Sequence, residues 1–313
     1  MNSLPVITAV DGSEDSFRAM EWALGAARSR GAELSVVHVG HAPAKALPVP
    51  GVPPVMPRSD GDRPPALARA RELLEGRADL PPVTFSSPEG HAKSVLVELS
   101  AHAGLLVLGS RGRGGFASLL LGSVSRACAA RAACPVVVVP HAARSDGAGV
   151  RGEWRRVVLG FEPEETGDDT VEFAFAEAER RGARLQVVTA YPDPLATMAL
   201  MGGYAGGMAD VASFAVQKDM RDAQEQRLLA EQRDRLRPGI ERHPDVAVDH
   251  VVAPADAAGR LVDASEEADL LVVGRHRRRL NPDTLLVGSA ANAVLLHAHC
   301  PVAVVPTEAA DQG

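Results

Sequence analysis

The sequence predicts an α/β protein made of two tandem three-layer α/β/α domains, each built around a parallel sheet. Three observations support this prediction. The two halves of the 313-residue chain align with each other, and in each half short apolar, β-branched runs alternate with amphipathic, Ala-rich stretches. Runs such as Leu105–Leu108 are apolar at every position, as expected for a strand that is covered on both faces.

The internal repeat defines the domain organisation. At an offset of 151 residues, Val6–Asp11 aligns with Val157–Glu162 and Gly31–Val39 aligns with Gly182–Ala190. Near the end of each half the offset is 166, which aligns Gly122-Ser123 with Gly288-Ser289 and Cys134–Pro140 with Cys300–Pro306. A period of about 150 residues indicates two copies of one domain. We therefore predict domains over residues 1–141 and 154–313, joined by a linker over 141–154.

The order of elements in the first copy predicts the sheet type. We predict strands over residues 5–10, 33–39, 83–86, 104–109 and 135–139, and helices over 14–30, 66–78, 91–102 and 122–133. Strands that alternate with helices in this way pair in parallel through right-handed crossovers. The Pro-rich residues 41–65 predict a mobile flap, whereas residues 191–215 are predicted to be partly helical. A charged helix is predicted over about 216–237.

Composition excludes several classes of protein. The formal net charge of −7 argues against a nonspecific nucleic-acid or anionic-membrane binder, because both need a basic face. The chain opens without a basic and apolar leader and has no apolar stretch of about 20 residues, so we expect a cytoplasmic protein. Cys128, Cys134 and Cys300 are too few for a disulfide framework, and they are expected to be small core residues.

A glycine and serine pattern predicts where a ligand would bind. Gly109-Ser110-Arg111-Gly112 ends the fourth predicted strand, and Gly122-Ser123 opens the helix that follows. Glycines let a phosphate approach the backbone, and the free N–H groups of a helix N-terminus attract an anion. The hydroxyls of Ser123 and Ser125 would add donors. Asp11, at the end of the first strand, would repel phosphate but could accept a hydrogen bond from a ribose hydroxyl.

These residues resemble the hallmark of the universal stress protein family, Gly-x2-Gly-x9-Gly-Ser/Thr, and the resemblance covers both halves of the chain. Val10–Ser13 is similar to the family's opening strand and turn. The resemblance implies a Rossmann-like, adenine nucleotide alpha hydrolase-like sheet of five parallel strands in each domain, and ATP in members that keep the loop. It implies that Asp11 contacts the nucleoside and that Val39 and Leu108 flank the adenine. The residues implied to cradle the ribose and phosphates are Gly109, Gly112, Gly122, Ser123, Val124 and Ser125.

The second copy departs from this pattern. Glu162 replaces Asp11, Pro163 replaces Gly12, and Arg277 replaces Gly112. The spacing from Gly274 to Gly288 is also one residue longer than in the first copy. We expect the second site to be empty or weak. The alternative is that the basic run from Arg275 to Arg279 holds phosphate by charge.

Two further features leave alternatives open. The segment His38–His41 looks like a nucleotidyl transferase signature but follows the wrong strand, so His38 is expected at the core or the edge of the pocket. The resemblance also implies pairing of domains through their last strands. We therefore expect Pro135–Val139 and Pro301–Val305 to pair antiparallel, either within one chain or between chains of an oligomer.

The leading functional prediction is an ATP-binding regulatory or stress-response protein, with one ATP per chain in the N-terminal domain. Whether Mg²⁺ accompanies the nucleotide is left open. We do not predict an enzyme, because no general base or metal ligand set is evident, although slow ATP hydrolysis is left open. The alternatives are a nucleotide-independent protein interaction module and an ATP-dependent transferase of related sheet topology.

Overall fold

The computed structural model describes residues 3–40, 64–112, 120–141, 155–192, 211–275 and 288–307, without the side chains of 211–217. The predicted linker beyond residue 141 and most of the predicted flap lie outside the described residues. The chain divides into two compact units, residues 1–142 and 143–313, and each is described by itself.

The first unit contains five strands and four helices among its described residues. The strands are β1 Val6–Ala9, β2 Leu34–Val37, β3 Val83–Ser86, β4 Leu105–Gly109 and β5 Val136–Val139. The helices are α1 Glu14–Arg30, α2 Pro65–Leu74, α3 Ala92–Leu99 and α4 Ser123–Arg131, and a 3₁₀ turn over Ser100–His102 follows α3. These elements confirm the predicted alternation of strands and helices.

The described part of the second unit repeats this order. Its strands are β6 Arg156–Gly160, β7 Arg184–Tyr191, β8 Val248–Pro254, β9 Leu270–Arg275 and β10 Val302–Pro306. Its helices are α5 Asp168–Arg181, α6 Val211–Arg242, α7 Ala257–Ser265 and α8 Ser289–His297.

Each unit has a parallel sheet with the same topology. The strand order is β3-β2-β1-β4-β5 in the first unit and β8-β7-β6-β9-β10 in the second. Every pairing within these two runs is parallel. After β3 the chain crosses to the other side of β1, so right-handed crossovers place α1 and α2 on one face and α3 and α4 on the other. The result is the predicted three-layer α/β/α fold.

Local sequence explains why α1 begins and ends where it does. Ser13 is the N-cap residue, and its side chain accepts a hydrogen bond from the N–H of Ser16. Glu14 and Asp15 lie in the first turn, where negatively charged carboxylates interact favourably with the positive end of the helix dipole. Gly31 ends the helix with a φ of 58°, a left-handed conformation that glycine adopts without a side-chain clash. The buried face of α1 then packs on β1 and β4.

The helix α6 differs from its prediction. We expected it to end near residue 237, before Pro238, but it runs from Val211 to Arg242 with Pro238 inside. Packing of the last turns on α5 outweighs the lost hydrogen bond. The ring of Phe175 lies directly against Gly239, where a Cβ would clash, and it stacks on the ring of His243 with centroids 5.6 Å apart.

Among the residues that the structure describes, no helix has the length and apolar character needed to cross a membrane.

Candidate functional site

A cleft of about 540 Å³ opens at the carboxyl ends of the first unit's strands. It lies where β1 and β4 are neighbours and the chain changes its crossover direction. Ligands of parallel sheets bind at this switch point, because the loops that leave the two strands diverge there. The geometry therefore places the cleft where the sequence predicted a ligand.

All nine predicted site residues line this one cleft. They are Asp11, Val39, Leu108, Gly109, Gly112, Gly122, Ser123, Val124 and Ser125. The remaining lining residues are Ala9, Val10, Ser16, His38, Ala92, Leu96 and Arg111. Of these, the sequence predicts only His38 near the pocket. Arg111 lies inside the predicted loop, but the motif does not specify which residue stands there.

The turn after β1 fixes the carboxylate of Asp11. Its Oδ1 accepts hydrogen bonds from the backbone N–H of Ser13 at 2.9 Å and from the Ser13 hydroxyl at 2.6 Å. Gly12 between them has a φ of 90°, which strongly favours glycine. The Asp11 side chain is thus held by the same residue that caps α1.

Gly112 brings the glycine loop against this carboxylate. A Cβ on Gly112 would lie 2.5 Å from Asp11 Oδ2, so a larger residue there would displace the loop or the carboxylate. Because glycine has no side chain, the loop at Gly112 can lie this close to the Asp11 carboxylate, as predicted for the motif.

The N-terminus of α4 faces the same cleft. Gly122 is its N-cap and offers no side-chain cap, and the first helical bond is from the N–H of Arg126 to the Gly122 carbonyl at 3.1 Å. The N–H groups of Ser123, Val124 and Ser125 therefore precede the helix's own hydrogen bonds. Together with the helix dipole they form a positive surface that suits an anion.

Ser125 differs from its predicted role. Its hydroxyl is buried and donates to the carbonyl oxygen of Gly109 at 2.7 Å. The sequence assigned this hydroxyl to the ligand, but in the structure it ties α4 to the end of β4. A similar bond runs from the N–H of Gly122 to the carbonyl of Ser110 at 2.6 Å. These two bonds hold the start of α4 at the mouth of the cleft.

His38 has a structural contact that both copies share. Its Nδ1 lies 2.7 Å from the carbonyl oxygen of Val10 and links the ends of β1 and β2. At the aligned positions of the second unit, the Thr189 hydroxyl donates to the carbonyl of Phe161 at 2.9 Å. Since a different side chain makes the same link, His38 serves the fold at the edge of the cleft, as expected.

The apolar wall of the cleft includes two residues that the sequence did not indicate. Ala92 and Leu96 come from α3, which follows β3 and packs against α4. Both are apolar residues on an amphipathic helix, and nothing in the sequence distinguishes them from ordinary core positions. Together with Val39 and Leu108 they give the cleft a surface suited to a flat, apolar group.

The second unit is built differently at the equivalent place. Seven residues connect β6 to α5, whereas four connect β1 to α1. Pro163 cannot adopt the φ of 90° found at Gly12, because its ring holds φ near −65°. The chain forms a turn instead, in which the N–H of Thr166 donates to the Glu162 carbonyl at 2.9 Å. Glu162 is exposed.

The end of β6 also differs from the end of β1 in its side chain. Gly160 aligns with Ala9, and a Cβ on Gly160 would lie 2.9 Å from Cδ1 of Leu261. Leu261 occupies the position in α7 that Leu96 occupies in α3, and it is buried. Ala291 stands where the first unit has Ser125. The predicted basic alternative rests on residues 276–279, which lie outside the described residues.

The cysteines are buried and free of disulfides. Burial raises the pKa of the Cys128 thiol to about 12, with a further contribution from Cys134, and burial raises that of Cys300 to about 12. Thiols of this kind are inert at neutral pH, which agrees with their expected role in the core.

The fold and the cleft define a doubly wound α/β protein with a cleft at the topological switch point. A sequence model of the universal stress protein family matches residues 4–140 and 153–306. Universal stress protein Rv2005c of Mycobacterium tuberculosis H37Rv is 34% identical over 308 residues, covering 96% of each chain. Rv2623, a universal stress protein of the same organism, is 31% identical over 308 residues, covering 97% of this chain and 96% of its own. The chain belongs to the universal stress protein family, in which it is a tandem member.

A solved structure supports the fold. The crystal structure of a universal stress protein from Archaeoglobus fulgidus DSM 4304 superposes with a TM-score of 0.59 at 19% identity. It covers 98% of this chain and 97% of the other. At this level of identity the likeness concerns the fold, and the function has to be argued from the cleft.

Proposed function

We propose that the first unit binds one adenine nucleotide, ATP, in the cleft between β1 and β4, and that the protein acts as a nucleotide-dependent regulatory or stress-response protein. The observation that carries the proposal is the convergence of the nine predicted site residues on one cleft.

The polar side of the cleft fits the phosphates. The N–H groups of Ser123, Val124 and Ser125 face it, and Gly112 and Gly122 keep the backbone accessible. Three or four charge-assisted hydrogen bonds of about 1.5–3 kcal/mol each would supply a binding free energy near −8 kcal/mol. This free energy corresponds to a dissociation constant of about 1 μM.

The other side of the cleft fits the nucleoside. Val39, Leu108, Ala92 and Leu96 offer an apolar wall for the adenine ring. Among the described residues that line the cleft, Asp11 is the one carboxylate, and it is held by Ser13 in a fixed orientation. A carboxylate accepts from a ribose hydroxyl, so this arrangement favours a nucleoside over inorganic phosphate.

The proposal is binding without turnover. The single lining carboxylate already accepts two hydrogen bonds from Ser13, so it is a poor candidate for a general base. Among the described residues there is no group of three or more His, Cys, Asp or Glu side chains that could hold a metal ion. If Mg²⁺ accompanies ATP, the phosphates of ATP would supply its ligands.

The proposal includes one site per chain. In the second unit Pro163 reshapes the first loop, and Arg277 replaces Gly112 in the glycine loop. Both changes remove features on which the first cleft depends. A regulatory role would follow if occupancy of the first unit alone altered a surface that a partner recognises.

Calorimetric titration of the full chain with ATP tests the proposal. We expect one ATP per chain with a dissociation constant of about 1 μM and a melting temperature that rises with ATP. Replacing Gly122 with Leu places a bulky side chain at the N-cap of α4 and should abolish binding.

Gly288→Leu is the matched control, because Gly288 is the N-cap of α8 in the second unit. It should leave the stoichiometry and affinity unchanged. Two ATP molecules per chain, or equal losses in the two variants, would contradict the proposal. No heat of binding and no thermal shift at millimolar ATP would favour a nucleotide-independent interaction module.

A further inference from the structure

Arg111 is a cationic residue that lines the cleft. It follows β4 directly, between Ser110 and Gly112, and contributes to the wall of the cleft. Its Nε is buried and has no hydrogen-bond partner among the described residues. A buried guanidinium N–H without an acceptor is costly, and such a group is commonly satisfied by a ligand.

The position of Arg111 relates it to the anion-binding end of α4. A Cβ built on Gly122, the N-cap, would lie 3.7 Å from the α-carbon of Arg111. The loop that carries Arg111 therefore runs alongside the first turn of α4. An anion held by the N–H groups of that turn would lie in the cleft that Arg111 also lines.

The charges around the cleft leave a polyphosphate undercompensated without Arg111. The helix N-terminus provides about half a positive charge, and Asp11 adds a negative one. The triphosphate of ATP carries about four negative charges at neutral pH, whereas adenosine carries none. Among the residues that the structure describes, Arg111 is the one permanent cation that lines the cleft.

We propose that Arg111 is the residue that makes the cleft select nucleotides with a polyphosphate chain over AMP and adenosine. Its guanidinium would donate to the phosphates beyond the one held by the N-terminus of α4. Arginine suits this task because its planar donors match phosphate oxygens in pairs. This inference rests on the proposed nucleotide-binding function and assigns the phosphate specificity of the same site.

The test is calorimetric titration of the full-length wild type, Arg111→Gln, Arg111→Lys and Arg126→Gln with ATP, AMP and adenosine. Arg126 is exposed one turn along α4 and does not line the cleft, so Arg126→Gln removes the same charge from a neighbouring position. We expect Arg111→Gln to bind ATP roughly 10- to 100-fold more weakly, with adenosine affinity changed less than about twofold. Arg111→Lys should lie between the wild type and Arg111→Gln. Arg126→Gln should change every affinity by less than about twofold, because an exposed charge is screened.

Four other outcomes of these titrations would overturn the role of Arg111 or the proposed function. If the wild type binds ATP and Arg111→Gln binds it equally well, the role of Arg111 is refuted while the proposed function stands. Equal losses for ATP and adenosine would show that Arg111 shapes the cleft and does not select phosphates, which overturns the inference. Equal effects of the Arg111 and Arg126 variants would do the same. If the wild type binds none of the three ligands, the proposed function fails and the inference with it.

If Arg111→Gln does not fold, as judged by circular dichroism, Arg111→Lys carries the same test. The lysine keeps the charge and loses the paired donors, so ATP affinity should fall while adenosine affinity is retained. An Arg111→Lys variant with wild-type ATP affinity would then contradict the inference.

Discussion

The α-carbon of Gly109 lies against the main chain of Asp15. A Cβ on Gly109 would be 2.7 Å from the carbonyl oxygen of Asp15 and 2.8 Å from its carbonyl carbon. The contact joins the end of β4 to the first turn of α1. Because both atoms belong to the backbone, neither can rotate away. The first glycine of the motif is therefore required by packing within the protein before any ligand is considered.

Replacing Gly109 with alanine should destabilise the first unit. Overpacking against a fixed backbone costs about 1–3 kcal/mol. Urea denaturation of the full chain would measure this as a lower midpoint for the first unit. Gly122→Ala is the control, since a Cβ there would lie 3.3 Å from the carbonyl oxygen of Ser110, a contact that a small shift relieves. If Gly109→Ala were as stable as Gly122→Ala, the contact would not have the importance we assign to it.

Replacing Gly112 with alanine should instead weaken nucleotide binding. The new Cβ would lie 2.5 Å from Asp11 Oδ2, and the two hydrogen bonds from Ser13 to Oδ1 resist movement of the carboxylate. Gly112 is exposed, so the free energy of unfolding should change by less than about 1 kcal/mol. ATP titration should show roughly a tenfold or greater loss of affinity. Wild-type ATP affinity in Gly112→Ala would contradict the geometry argued for the loop.

Most of the fold could be predicted because its signals are local and repeated. Strands such as β4 are apolar at every position, and α1 has a recognisable cap at each end. The end of α6 could not be predicted in this way. It depends on Phe175, which is distant in sequence and packs on Gly239 and His243. The helix continues through Pro238 because of tertiary contacts that leave no local pattern in the sequence.

The site was predictable where its residues are consecutive or end a strand. Asp11 follows β1, and Gly109 ends β4. Leu96 was not predictable, because it reaches the cleft only through the packing of α3. The contact of the Ser125 hydroxyl with the Gly109 carbonyl oxygen at 2.7 Å was not predictable either, since no local pattern shows that the two atoms are neighbours. Composition and spacing identify which residues gather at a site, and side-chain geometry decides what each of them contacts.

Replacing Gly12 with proline should convert the first loop towards that of the second unit. Proline cannot adopt the φ of 90° observed at Gly12, so the turn that positions Asp11 should be lost. We expect ATP binding to disappear in titration. Pro163→Gly, the converse change in the second unit, should leave one ATP per chain, because Arg277 still replaces Gly112 and the spacing from Gly274 to Gly288 is still one residue longer. A second bound ATP in Pro163→Gly would show that Pro163 alone closed the second site.

His250 should make the second unit less stable in mild acid. Burial lowers the pKa of His250 from its ordinary value of 6.5, with a further lowering by Arg233 that Asp249 partly opposes. Its Nδ1 lies 2.7 Å from Gln232 Oε1, and Gln232 Nε2 in turn donates to the Thr189 hydroxyl at 3.0 Å. Since an amide oxygen can only accept, Nδ1 must carry a proton.

The direction of the pH effect follows from this lowered pKa. Between the folded and unfolded pKa values the unfolded chain binds more protons, so the stabilisation is complete above about pH 6.5 and is lost as the pH falls. His250→Gln keeps an amide donor for Gln232 and does not titrate. In urea denaturation at a series of pH values, the wild type should lose stability relative to His250→Gln as the pH is lowered from about 7.5 to 5.5. A stability difference that stays constant or grows in favour of the wild type over this range would contradict the prediction.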